Sequence, residues 1–293
     1  MQDSVIMCLV NIMNIAFIMP YEINVLKTLD NASHLNLGNF ILIGDKKKIM
    51  ENCFKVSIDY SHFAIYDCPE ELEAIDFCHD FLQNRRCDYV AFGKIPASYF
   101  NRIMDVKEEA QIGAVEVIDL PMLRHYLFVS NSSRHLNVDF DDKKKAIIQA
   151  EALIKALNIK KINAAMITNL NNKTDLLETN IIKMILKDDK FNNINIFDSF
   201  TLANLFSINC PNNIYQTHIN LLIMRNYETT RIFIDTLRIF TDAKIASILV
   251  GGKNYAIDFS ETKDNGDILF SLLILNKIFK EKKNTCYQEQ SVI

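Results

Sequence analysis

Glycine is scarce in this chain: 293 residues hold seven, where average usage of roughly 7% would give about 20. Neither a G-x-x-x-x-G-K nor a G-x-G-x-x-G string can be written anywhere, so the usual glycine cradles for nucleotide phosphates are excluded. Positive charge is not in excess, with 32 basic against 36 acidic residues and a pI near 5.9. A nucleic-acid partner is therefore not expected, since such binding needs cations to neutralise phosphates. The seven cysteines (Cys8, Cys53, Cys68, Cys78, Cys87, Cys210, Cys286) are odd in number and form no Cys-x-x-Cys pair. That pattern argues against a disulfide framework or a zinc site and for buried thiols in a reducing compartment. Cys78 adjoins His79, but neighbours in a helix point in different directions.

Long hydrophobic runs are also missing. Val5 to Met19 is apolar but interrupted by Asn11 and Asn14, and Asp3 stands where a signal peptide carries Lys or Arg. It falls short of the roughly 20 residues a membrane span needs. The expectation is a cytoplasmic chain with no membrane partner, whose start leads into a first buried strand. The histidines (His34, His62, His79, His125, His135, His218) show no metal-ligand spacing; no metal is expected, and only His135, in a polar stretch, is placed near a cleft.

What the chain does have is apolar content: 49% of its residues are hydrophobic, enough for a large core, and its length favours two domains. Short β-branched or aromatic runs alternate with longer amphipathic stretches, the pattern of a parallel sheet with helices on both faces. Strands are expected over 14–19, 39–43, 62–65, 89–92, 126–130, 163–168, 195–197, 220–224, 245–250 and 254–259. Helices are expected over 21–33, 46–53, 69–83, 97–106, 141–157, 174–186, 229–240 and 267–279. Acids lead and bases follow in Asp141-Asp142-Lys143-Lys144-Lys145, which suits a helix start, with the lysines on a solvated face in preference to a phosphate grip. The polar stretch Asn131 to Asn137 is the best internal break. It divides the chain into a first α/β domain of residues 1–138 plus 265–293 and a second of 139–264.

Read in order, several segments resemble the phosphate acetyltransferase and phosphate butyryltransferase family. Asn39-Phe40-Ile41-Leu42-Ile43-Gly44-Asp45 with Ile49 resembles its "iLiGd…I", and Asp88-Tyr89-Val90-Ala91-Phe92-Gly93 its "aDvlmKG". Leu127-Phe128-Val129-Ser130-Asn131, with Lys143 and Gln149-Ala150, resembles "lfvTDaa…K…NA", and Leu157-Asn158-Ile159 the following "LGI". Phe200 to Ser207 resembles "LaLDnAvS", and Asn220 to Glu228 resembles "DillvPdie". Gly251-Gly252-Lys253, Ser260 and Asp267-Ile268 resemble the closing "vvltSR…" and the acidic position after it.

The resemblance implies an isocitrate/isopropylmalate dehydrogenase-like architecture of two α/β domains, with mostly parallel sheets, an interdomain cleft and a homodimer. It also implies exchange of an acyl group between coenzyme A, as substrate, and phosphate. Such chemistry needs a base near the thiol and donors around the phosphate and the carbonyl oxygen. The resemblance puts the base at Asp267 and the phosphate-binding Ser-Arg pair at Ser260-Glu261. A glutamate there repels a dianion. Further polar positions have changed: the Lys before Gly is Phe92, Thr-Asp is Ser130-Asn131, the Asp of "LDnA" is Ala203, Gly-Asn is Thr230-Arg231, and a later Lys is Asp235.

Arg231, near a helix start, is a candidate to restore the lost charge; its alternative is to pair with Glu228 or Asp235 on its own helix. Asp267 could equally be an ordinary helix-start acid, and Ser260 a turn residue. Ligands of open α/β sheets lie beyond the carboxyl ends of strands, which singles out Ser130, Asn131, Asn204 and the stretch from Ser260 to Asp267. Two functions follow: a phosphate acyltransferase acting on acyl-CoA and phosphate (or acyl phosphate) with a diverged site, or a catalytically degenerate relative that acts as a coenzyme A- or acyl-phosphate-binding module or as a protein-interaction module.

Overall fold

The computed structural model describes residues 12–106, 112–131, 140–168, 173–188, 193–197, 199–260 and 264–290. In chain order the elements are β1 (Asn14–Ile18), α1 (Ile23–His34), β2 (Asn39–Gly44), α2 (Lys46–Lys55), β3 (Ala64–Asp67), α3 (Glu71–Gln83), β4 (Tyr89–Phe92) and α4 (Phe100–Ile103). Then follow β5 (Gly113–Asp119), β6 (Leu127–Asn131), α5 (Phe140–Ala156), β7 (Ile162–Met166), α6 (Lys173–Asp188), β8 (Ile194–Ile196), α7 (Leu202–Phe206), α8 (Ile214–Thr217), β9 (Leu221–Ile223), α9 (Tyr227–Phe240) and β10 (Lys244–Val250). The chain closes with β11 (Ala256–Asp258) and α10 (Asn265–Gln290).

Two compact units result. Unit 1 comprises Met1–Glu108 with Gly252–Ile293, and unit 2 comprises Glu109–Gly251. The strands of unit 1 lie in the order β3-β2-β1-β4-β11, every pair parallel. Those of unit 2 run β10-β5-β6-β9-β7-β8, with the β10-β5 and β5-β6 pairs antiparallel and the other pairs parallel. This is the mostly parallel α/β class that the alternating sequence pattern predicts.

The division differs from the expected one. Residues 113–131 were assigned by the polar break to the first domain, but β5 pairs with β10 over seven residues and β6 pairs with β9. Backbone ladders therefore bind this stretch to unit 2. The boundary falls instead near 108 and 251, because strand pairing, not loop polarity, decides where a domain ends. The same β5 is the strand missing from the sequence-based set. Its centre is Glu116, buried with 6% exposure, whose Oε1 accepts a hydrogen bond from Ser247 Oγ on the neighbouring strand at 3.1 Å.

Each unit has its own core. In unit 1 Phe17 of β1 packs edge-on against Phe40 and stacks with Phe259, at centroid distances of 5.9 and 5.8 Å. Asn276 on α10 donates from Nδ2 to Leu37 O at 2.7 Å, fixing the last helix to the loop after α1. In unit 2 the core gathers Ile118, Leu127, Val129, Leu222, Ile234 and Ile245 from strands and α9. Caps end the helices where the sequence changes: Asp45 Oδ1 accepts from Lys48 N, and Asn226 Oδ1 from Thr229 N.

The free thiols of Cys53, Cys68, Cys78 and Cys87 are buried, and Cys210 is half-buried. Burial pushes the Cys78 thiol well above its ordinary value and Cys87 up to about 12. Because the thiolate is the reactive species, maleimide labelling of the native protein at pH 8 should modify Cys210 first among these five and spare Cys78 and Cys87 until denaturant is added. Mass mapping of the labelled peptides checks the order.

Candidate functional site

At the carboxyl ends of the unit 1 strands the backbone makes room for a crevice. A Cβ built on Gly93 would meet Met19 O at 2.4 Å and Ile18 O at 2.8 Å, so only glycine fits. Gly93 N also donates to Ile18 O at 2.9 Å, which holds the turn after β4 against the end of β1. The crevice formed here is small, with a volume of about 10 Å³, and is lined by Met19, Tyr21, Glu22, Gly93, Lys94 and Ser260, among others. The Tyr21 hydroxyl accepts the Asp45 N–H at 2.9 Å, and Lys48 Nζ lies 3.9 Å from the centre of its ring. Burial pushes the Tyr21 phenol above its ordinary range, with the Asp45 N–H pulling the other way.

Ser260 sits at the bend after β11, where its N–H donates to Asp258 Oδ1 at 2.9 Å. It is among the residues that line the crevice. Asp267 lies in the first turn of α10 with 3% exposure; its N–H donates to Asp264 Oδ1 at 3.1 Å, and its carbonyl accepts from Ser271 Oγ at 2.8 Å. The helix start is thus capped by Asp264, leaving Asp267 as the acid inside the first turn. Glu261 lies outside the described residues, as does His135.

Lys94 is the residue that motif matching missed. The family string places a lysine before the glycine, where this chain has Phe92, and Phe92 is buried and stacked on Phe100 at 4.3 Å. A cation follows the same glycine at Lys94, exposed on the wall that carries Ser260. The signal was present in Phe92-Gly93-Lys94, displaced by two positions.

The unit 2 candidates behave differently. Ser130, 1% exposed in β6, spends its hydroxyl on Ala146 O in α5 at 3.0 Å, so it is a structural tether between strand and helix. Asn131 ends β6, in register with Ala114. Asn204 sits in short α7, its N–H on the Thr201 cap at 3.2 Å and its Oδ1 facing Cys210 Sγ at 3.6 Å. Arg231 lies on α9 with its guanidinium 3.5 Å from Asp235, which also faces Arg238 at 3.4 Å. Of the two expectations for Arg231, the pairing with Asp235 on its own helix is the one observed. Lys143 departs from the expected solvated face: its side chain is 5% exposed and paired with Glu178. Among the described residues no three metal-ligating side chains gather, and no described helix is long and apolar enough to cross a membrane.

No family profile matches the chain. Over 268 residues it is 22% identical to a phosphate butyryltransferase of Clostridium beijerinckii, covering 85% of this chain and 89% of that protein. Among solved structures, a branched-chain phosphotransacylase from Enterococcus faecalis superposes with a TM-score of 0.73 at 11% identity, over 91% of this chain and 99% of the other. A phosphotransacetylase from Streptococcus pyogenes gives 0.70 at 11% identity, over 92% and 94%. The fold is therefore that of the phosphotransacylases.

Removing the Ser130 hydroxyl leaves the Ala146 carbonyl without that donor in a buried setting, which costs about 1 to 2 kcal/mol. Urea unfolding of Ser130→Ala should show this loss, and ligand affinity at the Ser260 crevice should stay as in the wild type.

Proposed function

We propose that this chain is a divergent phosphate acyltransferase, which interconverts an acyl-CoA and phosphate with an acyl phosphate and coenzyme A. The observation that carries this reading is the agreement of two likenesses over almost the whole chain: one in sequence to a phosphate butyryltransferase, one in fold to phosphotransacylases. Local chemistry supports it at the end of the sheet where α/β proteins hold ligands. A hydroxyl, Ser260, and a cation, Lys94, share one wall of the crevice.

In the acyl-phosphate-forming direction a phosphate oxygen attacks the thioester carbonyl carbon. The C–S bond then breaks, and the departing thiolate takes a proton. Ser260 donates to the phosphate, and Lys94 supplies charge in place of the arginine whose position is Glu261. Asp267 serves as the acid that protonates the leaving thiolate, and as the base that removes the thiol proton in reverse. The two functions divide between a point charge that positions the dianion and a carboxyl that handles the proton. A cytoplasmic location fits the free thiols, and homodimeric assembly belongs to the same proposal.

Phosphate-dependent release of thiol from acetyl-, propionyl- and butyryl-CoA tests the reading. Asp267→Asn should lower kcat by about 100-fold or more, the scale of a lost general acid–base group. Lys94→Ala should raise the KM for phosphate by about tenfold, whereas Arg231→Ala should change it less than twofold. Absence of turnover with all three thioesters by the folded wild type would refute the enzyme and leave the degenerate, CoA-holding alternative that Glu261 and Phe92 favour.

A further inference from the structure

The amino ends of the unit 1 strands carry a second concavity that acyl transfer does not use. Asp88 and Tyr89 open β4, while Lys253 and Asn254 precede β11 and α3 ends at Gln83; with Phe279, Lys282 and Lys283 of α10 they line a cavity of about 640 Å³. Strand β4 runs from Tyr89 at this cavity to Phe92, and Gly93, the next residue, lines the Ser260 crevice, so the two lie at opposite ends of the strand.

Charge distinguishes this cavity. Among the described residues its walls carry Arg85, Lys253, Lys282 and Lys283 against one carboxylate, Asp88. Counting Asp105, which pairs with Lys253 at 2.9 Å, the cations still outnumber the acids by two, in a chain whose overall charge is −4. The cations are held in place: Lys282 Nζ lies 5.9 and 5.6 Å from the ring centres of Tyr89 and Tyr255, and Lys283 Nζ lies 4.4 Å from that of Phe279. Arg85 adopts a left-handed backbone (φ 54°) directly after α3, which fixes where its side chain leaves the chain.

Asp88 accepts the Asn14 N–H through Oδ2 at 2.8 Å, and burial raises its pKa above the ordinary carboxylate range although Lys283 and Lys282 oppose this. Cations gathered on a concave, partly apolar wall raise the local positive potential and so attract an anion. The volume far exceeds one phosphate group, and the floor offers Leu82, Met104 and Phe279 to an apolar or planar portion.

We propose that this cavity binds a small organic phosphate ester of about nucleotide size, its phosphate among Arg85, Lys282 and Lys283 and its organic part on the apolar floor. The proposal does not depend on the acyl-transfer reading. Titration calorimetry of the full chain with AMP and ribose 5-phosphate, and with adenosine as the phosphate-free control, tests it. At least one ester should bind with one-to-one stoichiometry, and affinity should fall as salt is raised. Adenosine should bind about tenfold more weakly or not at all. The double variant Lys282→Ala/Lys283→Ala and, separately, Arg85→Ala should each weaken the ester by about tenfold, with folding confirmed by circular dichroism. Ser260→Ala should bind as the wild type does. Binding of neither ester to the wild type, wild-type affinity in both basic variants, or loss of binding in Ser260→Ala would each overturn the assignment.

Discussion

The close approach of Gly93 to the carbonyl oxygens of Ile18 and Met19 governs what the carboxyl end of unit 1 can hold. With no Cβ, the chain leaving β4 can lie against the end of β1 and donate to Ile18 O. That contact brings Lys94 to the wall that Ser260 reaches from β11, since β11 pairs with β4 on its other side. A side chain at position 93 would displace backbone, which has no rotamer with which to relax. The crevice therefore depends on one missing carbon in the turn that follows β4, and both Lys94 and Ser260 line it.

Around that constraint, the polar positions of the family string have exchanged chemistry for packing. Phe92 occupies a lysine position and stacks on Phe100, and both rings are buried. An ammonium there would lose its hydration in a setting otherwise filled by aromatic rings. Ser130 likewise turns its hydroxyl to a helix carbonyl. Buried positions are occupied by groups that the surrounding protein itself satisfies, while the retained charge, Lys94, is exposed. Such a division keeps the fold stable and, in the proposed reaction, leaves Lys94 as the cation available to a phosphate.

The sequence made the buried strands legible because parallel strands covered on both faces read as continuous apolar runs. Tyr89–Phe92 appears with the predicted bounds, and Asn39–Gly44 within one residue. Gly113–Asp119 was hidden because Glu116 interrupts its run, and a buried glutamate is intelligible only once Ser247 is seen beside it. The unit boundary was hidden for a related reason: the partners of β5 and β6 lie about 90 to 130 residues away in sequence, and no local polarity reports on them. At the site, Ser260 was legible as a residue after an apolar strand, whereas Lys94 was not, because a charge shifted by two positions matches no motif.

Strand β4 also separates the two proposed anion sites of unit 1. Its four residues, all buried, span about 13 Å at roughly 3.3 Å per residue, and apolar side chains fill the space between the ends. Cations at one end are thereby more than a Debye length of about 8 to 10 Å from the other. In the proposed reaction the Lys282 and Lys283 cluster lies at the far end of the sheet from Ser260, so a stand-in for the arginine position held by Glu261 has to come from a charge at the Ser260 end. Lys94 is the group that the backbone delivers there, and its exposure means that solvent and salt temper whatever it contributes.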